Sequence, residues 1–131
     1  MNFLLDTHAF LWFVNDHFSL SVTAKGIIED QQSLVYLSAA SIWEMAIKSS
    51  LEKLAVPVSL QQFVETHISE NEFSVLQITA EHAEEVAKLP FPKSGHRDPF
   101  DRMIIAQAIC HDLTIITRDA AFSDYPIRRL W

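Results

Sequence analysis

The 131-residue sequence is short of cysteine, glycine and positive charge. Its single cysteine, Cys110, excludes an intramolecular disulfide and fits a reducing compartment. Two glycines and five prolines leave no low-complexity tract or flexible linker. No apolar run approaches the length of a transmembrane helix. The apolar segment from Met1 to Val14 has no preceding Lys or Arg, and Asp6 and His8 interrupt it, so it does not read as a signal peptide. These absences predict a cytoplasmic protein that makes no use of a membrane. Lys and Arg number 10 against 17 acids, a net charge of −7. That balance argues against broad electrostatic binding of nucleic acid. It leaves room for a nucleic-acid enzyme whose acids are neutralised by metal ions, or for a basic partner.

What is present is an ordinary globular mixture, 49% apolar and 21% charged, of a length that suits one domain, residues 1–131. Asn2 to Leu5 is a short apolar run, consistent with a strand buried on both faces. Ala9 to Asn15 follows as a helix. Ser21 caps a second helix reaching Glu29. Ser33 to Leu37 reads as a strand. Ser38 or Ser41 then starts a helix to Leu51, with Ala40, Trp43, Ile47 and Leu51 as its apolar stripe. Ser41-Ile42-Trp43-Glu44 has the capping-box pattern. A helix from Ser59 to Ile68, a strand from Phe73 to Ile78 and a helix from Ala80 to Leu89 come next. The loop Pro90–His96 leads to a helix capped by Asp98, with Pro99 at its first position. Thr114 to Thr117 and Ile127 to Trp131 are the last strands. Alternating strands and helices predict a three-layer α/β/α domain around a mostly parallel sheet of about five strands.

Such folds gather their working groups beyond the carboxyl ends of the strands. Asp6 follows the first strand and Asp119 the fourth. Glu44 lies early in the helix after the second strand. Asp98 and Asp101 share the first turn of the helix leading into the fourth. Taken singly, each has an ordinary reading: Asp6 and Asp119 as turn residues, Glu44 as an exposed acid, Asp98 as a cap. Taken together, five acids at one sheet edge repel one another unless something positive binds there. Oxygen-only ligation suits Mg²⁺ or Mn²⁺, and no Cys or His spacing supports zinc. Carboxylate-held metal favours hydrolysis of a phosphodiester.

At these residues the chain resembles a PIN-domain ribonuclease, and in particular the VapC-type toxin of toxin–antitoxin systems. The matching segments are Leu4-Leu5-Asp6-Thr7-His8 with Phe10-Leu11-Trp12, Ser38 to Lys48, His96 to Arg102 with Ile105-Ala106-Gln107-Ala108, and Thr117-Arg118-Asp119. The resemblance implies a metal-dependent endoribonuclease using Mg²⁺ or Mn²⁺, with Asp6, Glu44, Asp101 and Asp119 as the acidic site and Asp98 beside them. It also implies an RNA substrate, a homodimer and a cognate antitoxin. Asp101 matches the aspartate that precedes the family's Ala-rich helix, so the resemblance favours it over Asp98 as the main ligand there.

Around these acids, Thr7, His96, Arg97 and Arg102 are candidates to contact substrate, and Thr117 to hydrogen-bond an acid or a bound water. Arg102 could equally pair with a nearby acid. Lys48, four residues after Glu44, suits an ion pair with it. Trp12 and Trp43 read as core or dimer contacts. Two other readings stand beside the ribonuclease. One is a DNA nuclease. The other is an acidic groove that binds a basic partner peptide without catalysis. A dehalogenase-type phosphatase would need an acid where His8 stands.

Overall fold

The computed structural model describes all residues, 1–131. Its strands are β1 (Asn2–Leu5), β2 (Leu34–Ser38), β3 (Ser74–Leu76), β4 (Thr114–Ile116) and β5 (Arg128–Leu130). They form one sheet in the order β3-β2-β1-β4-β5, and every neighbouring pair is parallel. The helices are α1 (Thr7–Val14), α2 (Val22–Glu29), α3 (Ala39–Ser50), α4 (Leu60–Glu70), α5 (Ala80–Lys88) and α6 (Pro99–His111).

The alternation of side chains along β1 divides the core in two. Phe3 and Leu5 pack with Phe10, Ile28, Met45 and Phe63 under α1 to α4. Leu4 points the other way and packs with Ile104, Ile105 and Phe122 under α6. Both faces of the sheet are therefore covered, which gives the three expected layers. On the second face, buried Gln107 of α6 reaches the carbonyls of Leu76 and Gln77, tying the end of β3 to the helix.

Several local expectations change. Helix α1 begins at Thr7 rather than Ala9, because Asp6 itself is the N-cap and accepts from the Ala9 N–H. Ser38, not Ser41, caps α3. Ser41 is buried inside the helix, so Ser41 and Glu44 form no capping box. The box that exists is Thr79 with His82 on α5. Trp43 and Leu51 are 59% and 57% exposed, and Met45 takes the core place on α3. β3 is trimmed to three residues, and β4 ends before Thr117. A short 3₁₀ helix, Ala120–Asp124, was not expected; so brief an element carries no readable periodicity.

The shortage of glycine has a visible consequence. Helix ends often need one left-handed residue, normally Gly. Here Asp16, Glu52, Glu72 and Asp112 take that conformation, with φ of 49°, 57°, 56° and 52°. In each case the next N–H returns to the last turn of the helix, as His17 does to the Trp12 carbonyl at 2.8 Å.

Candidate active site

From β1 the chain runs outward through β2 to β3, then crosses back to place β4 and β5 on the other side of β1. The crevice beyond the carboxyl ends of β1 and β4 is thus the topological switch point of the sheet. A cavity of about 200 Å³ opens there, lined by Asp6, His8, Trp12, Arg118 and Asp119.

Asp6 is buried at the end of β1. One of its oxygens accepts from the Ala9 N–H at 2.7 Å and the other from the Thr117 hydroxyl. Thr117 is itself fixed by the Asp119 N–H at 3.0 Å. Burial raises the Asp6 pKa above the usual carboxylate value. The Asp119 charge adds to that, and the two hydrogen bonds and His8 only partly oppose it. Asp119 also caps the 3₁₀ helix, accepting from Ala121.

Thr7 connects Asp6 to α3. Its hydroxyl donates to Glu44 Oε1 at 2.6 Å. Because that uses its one proton, the Ser41 hydroxyl, 2.9 Å away, is the donor in the second bond. Lys48 holds the other Glu44 oxygen at 2.8 Å, the expected i,i+4 pair. Thr7 is therefore buried and committed to orienting an acid, and it is not free to meet substrate.

Asp98 caps α6 and accepts from the Asp101 N–H at 2.9 Å. Asp101 stands one turn further on, with His96 Nε2 3.0 Å from its Oδ2. Burial pushes the Asp101 carboxyl up to about 7, and the charges of Asp98 and Glu44 push in the same direction against the His96 contact. The two raised carboxyls, Asp6 and Asp101, come from opposite ends of the chain.

Two expected substrate contacts have other surroundings. Arg102 is only 5% exposed. Its guanidinium donates to the carbonyls of Pro90 and Leu89 and to the Tyr125 hydroxyl, and lies over Phe91. It neither faces the cavity nor pairs with an acid; it fastens the 90–97 loop to α6. His96 has both ring nitrogens engaged by protein groups. Arg97 is exposed, its guanidinium 4.6 Å from the Phe91 ring centre. Conversely, Trp12 and Arg118 line the cavity, a role the sequence reading did not assign them. The i,i+4 spacing of His8 and Trp12 directly after Asp6 is the signal that could have found Trp12.

No three His, Cys, Asp or Glu side chains close on a single point. Mg²⁺ does not require that, because it keeps several waters and commonly binds through one or two carboxylates. The donors offered are oxygens, and two of the carboxyls hold protons more tightly than usual among like charges. Such a set fits a hard divalent cation.

The PIN domain model matches residues 3–127. The chain belongs to the PIN-domain family. It is 32% identical over 126 residues to Ribonuclease VapC22 of Mycobacterium tuberculosis, covering 88% of this chain and 85% of that one. Its fold is similar to that in the crystal structure of VapBC2 from Rickettsia felis bound to a promoter DNA fragment. The TM-score is 0.75, at 17% identity, over 100% of this chain and 99% of that one. DNA-bound VapBC from Salmonella typhimurium gives 0.68 at 21% identity, over 99% and 97% of the two chains. No helix of the chain is long and apolar enough to cross a membrane.

Proposed function

We propose that this chain is a divalent-metal-dependent endoribonuclease and the toxin of a toxin–antitoxin pair. The observation that carries the reading is the pair of raised carboxyls, Asp6 and Asp101, set with Asp98, Asp119 and Glu44 at the C-terminal edge of a parallel sheet. The relative named a ribonuclease supports the reaction, and the toxin–antitoxin complexes among similar folds support the partner.

Asp6, Asp98, Asp101 and Asp119 would hold Mg²⁺ or Mn²⁺. When bound, the ion would supply a Lewis acid able to lower the pKa of a water and to neutralise charge on a phosphodiester oxygen. The chain's own work is orientation. Thr117 fixes the Asp6 carboxylate, Thr7 and Lys48 fix Glu44, and His96 fixes Asp101. Arg97 and Arg118, exposed cations near the acids, are the groups free to meet RNA phosphates. The working form is a homodimer in the cytoplasm. The cognate antitoxin silences it by placing a basic side chain among the carboxylates, where charge-assisted hydrogen bonds replace metal.

The test is cleavage of a mixed RNA pool by partner-free protein in Mg²⁺ or Mn²⁺, in EDTA, and with Asp101→Asn. Cleavage that needs both metal and Asp101 is the expected result. Cleavage of DNA alone would make the chain a DNA nuclease. Inert protein that still binds a basic peptide would make it a binding module.

A further inference from the structure

We infer that the aromatic strip Trp12–His17–Phe18, together with Arg118, is the track on which unpaired nucleotides next to the cleaved phosphate stack as they leave the Asp6–Asp119 cavity. The inference rests on the ribonuclease reading above. It goes further by assigning a base-stacking surface beside the cavity to named residues of this chain.

The strip starts inside the cavity. Trp12 is one of its walls, and the Arg118 guanidinium carbon lies 5.5 Å from the Trp12 ring centre. Trp131 backs Trp12 edge-on, with ring centres 5.8 Å apart. From Trp12 the strip runs outward. The His17 ring is stacked beside it, at 5.8 Å and 19°. The Phe18 ring stacks on His17 at 4.4 Å and 25°.

Local backbone geometry, not core packing, makes this ladder. Helix α1 stops at Asn15, and Asp16 turns left-handed at φ 49°. That turn sends the His17 N–H back to the Trp12 carbonyl at 2.8 Å, laying the next side chain along Trp12. The Ser19 N–H then donates to His17 Nδ1 at 3.0 Å, which fixes the ring. The Asp16 carboxylate is held by Lys25 of α2 at 3.2 Å.

Phe18 ends the ladder 92% exposed, so its ring contributes almost nothing to the core. Flat rings continuous with a catalytic cavity, flanked by one arginine, match what unpaired nucleotides require. Every base has a face to stack, and the guanidinium can meet a phosphate or a base. A paired strand keeps its bases stacked inside the duplex and cannot use such rings.

The probe is a fluorescein-labelled ten-nucleotide RNA of A and U without secondary structure. Its binding is followed by anisotropy in an Asp101→Asn background that blocks turnover. The comparison set is the same RNA with two central abasic sites and the same sequence as a duplex. Phe18→Ala should weaken single-strand binding roughly 5- to 100-fold. Because Phe18 is surface-exposed, this variant tests the track without endangering the fold. Leu51→Ala, an exposed change at the far end of α3, should leave affinity unaltered. Removing the bases should cost the parent as much as Phe18→Ala does, and should cost the Phe18→Ala protein little more. Equal affinity of parent and Phe18→Ala, or tighter binding of the duplex, overturns the track. If metal-dependent cleavage by the wild-type chain persists in that case, the ribonuclease reading stands without it. A wild-type chain that neither binds nor cuts RNA overturns both. If Phe18→Ala instead loosens only the antitoxin complex, the strip is a protein-binding face and the inference fails.

Discussion

His96 joins Asp101 to Tyr125. Its Nε2 is 3.0 Å from Asp101 Oδ2 and its Nδ1 is 2.8 Å from the Tyr125 hydroxyl. An ionised Asp101 can only accept, so Nε2 donates to it; in the neutral imidazole Nδ1 is then the acceptor and the Tyr125 hydroxyl its donor. The same hydroxyl receives Arg102 Nη1 at 3.2 Å. Tyr125→Phe therefore removes the hydroxyl partner of His96 Nδ1 and of Arg102. We expect a stability loss of about 1–3 kcal/mol from the unpaired buried groups. We also expect a fall in activity of about 10- to 100-fold, the usual cost of losing a partner one step from a metal ligand, the role proposed above for Asp101. Urea unfolding and RNA cleavage on the same preparation check both. Lower stability with an unchanged rate would confine Tyr125 to the fold.

Thr117 stands in the same relation to Asp6. Its hydroxyl donates to the carboxylate and accepts from the Asp119 N–H. Thr117→Val keeps the shape and removes both bonds. Cleavage should drop by about 10- to 100-fold, and more Mn²⁺ should be needed for half-maximal rate. An unchanged metal requirement would show that Asp6 does not need Thr117 for orientation.

The order of elements and their two-sided burial were legible because β1, β2 and β4 are apolar runs separated by helical spacing. The placement of Asp6, Asp98 and Asp119 followed from the same pattern, since each lies at a strand end or a helix start. What spacing could not show was which serine caps α3. Ser38 and Ser41 both suit a cap by residue type, and the end of β2 decides between them. Nor could it show that Arg102 points inward. Helical position alone puts Arg102 beside Asp101, but the carbonyls that capture it come from the 89–90 segment, brought there by tertiary folding. For Trp12 the sequence suggests a core or dimer contact, because its neighbours His17 and Arg118 meet it only through a left-handed turn and a distant strand end.

The left-handed residues at helix ends make a separate prediction about stability. Glu72 follows α4 with φ 56°, and Phe73 N–H closes the turn on the Ile68 carbonyl at 3.1 Å. A side chain in this conformation costs about 1–2 kcal/mol, of which Gly gives back part to its own chain entropy. Glu72→Gly should stabilise the protein by about 0.5–1 kcal/mol. The unfolding midpoint should rise by about 2–4 °C. Glu72→Ala keeps the Cβ and should not match that gain. Equal midpoints for the two variants would mean that the conformation is not the source of strain.

The last prediction concerns pH and metal together. Asp101 binds its proton up to about 7 in the folded chain, against an ordinary value of 3.8. Between those values the folded state holds more proton at this site than the unfolded state, so stability falls as pH rises. Asp101's contribution is complete below the unfolded value and is lost as pH climbs through the folded one. His82 works in the opposite sense. Burial lowers its pKa below 6.5, so its contribution is lost as pH falls. Comparing wild type with Asp101→Asn at each pH cancels His82 and isolates the acid. In EDTA, the difference in melting temperature, wild type minus Asp101→Asn, should decline from about pH 5 to about pH 8. Mn²⁺ competes with the same proton, so its stabilising effect on wild type should grow over that range and be much reduced in Asp101→Asn. A flat difference in EDTA would show that Asp101 is ionised throughout. An equal Mn²⁺ gain in both proteins would place the ion away from this residue.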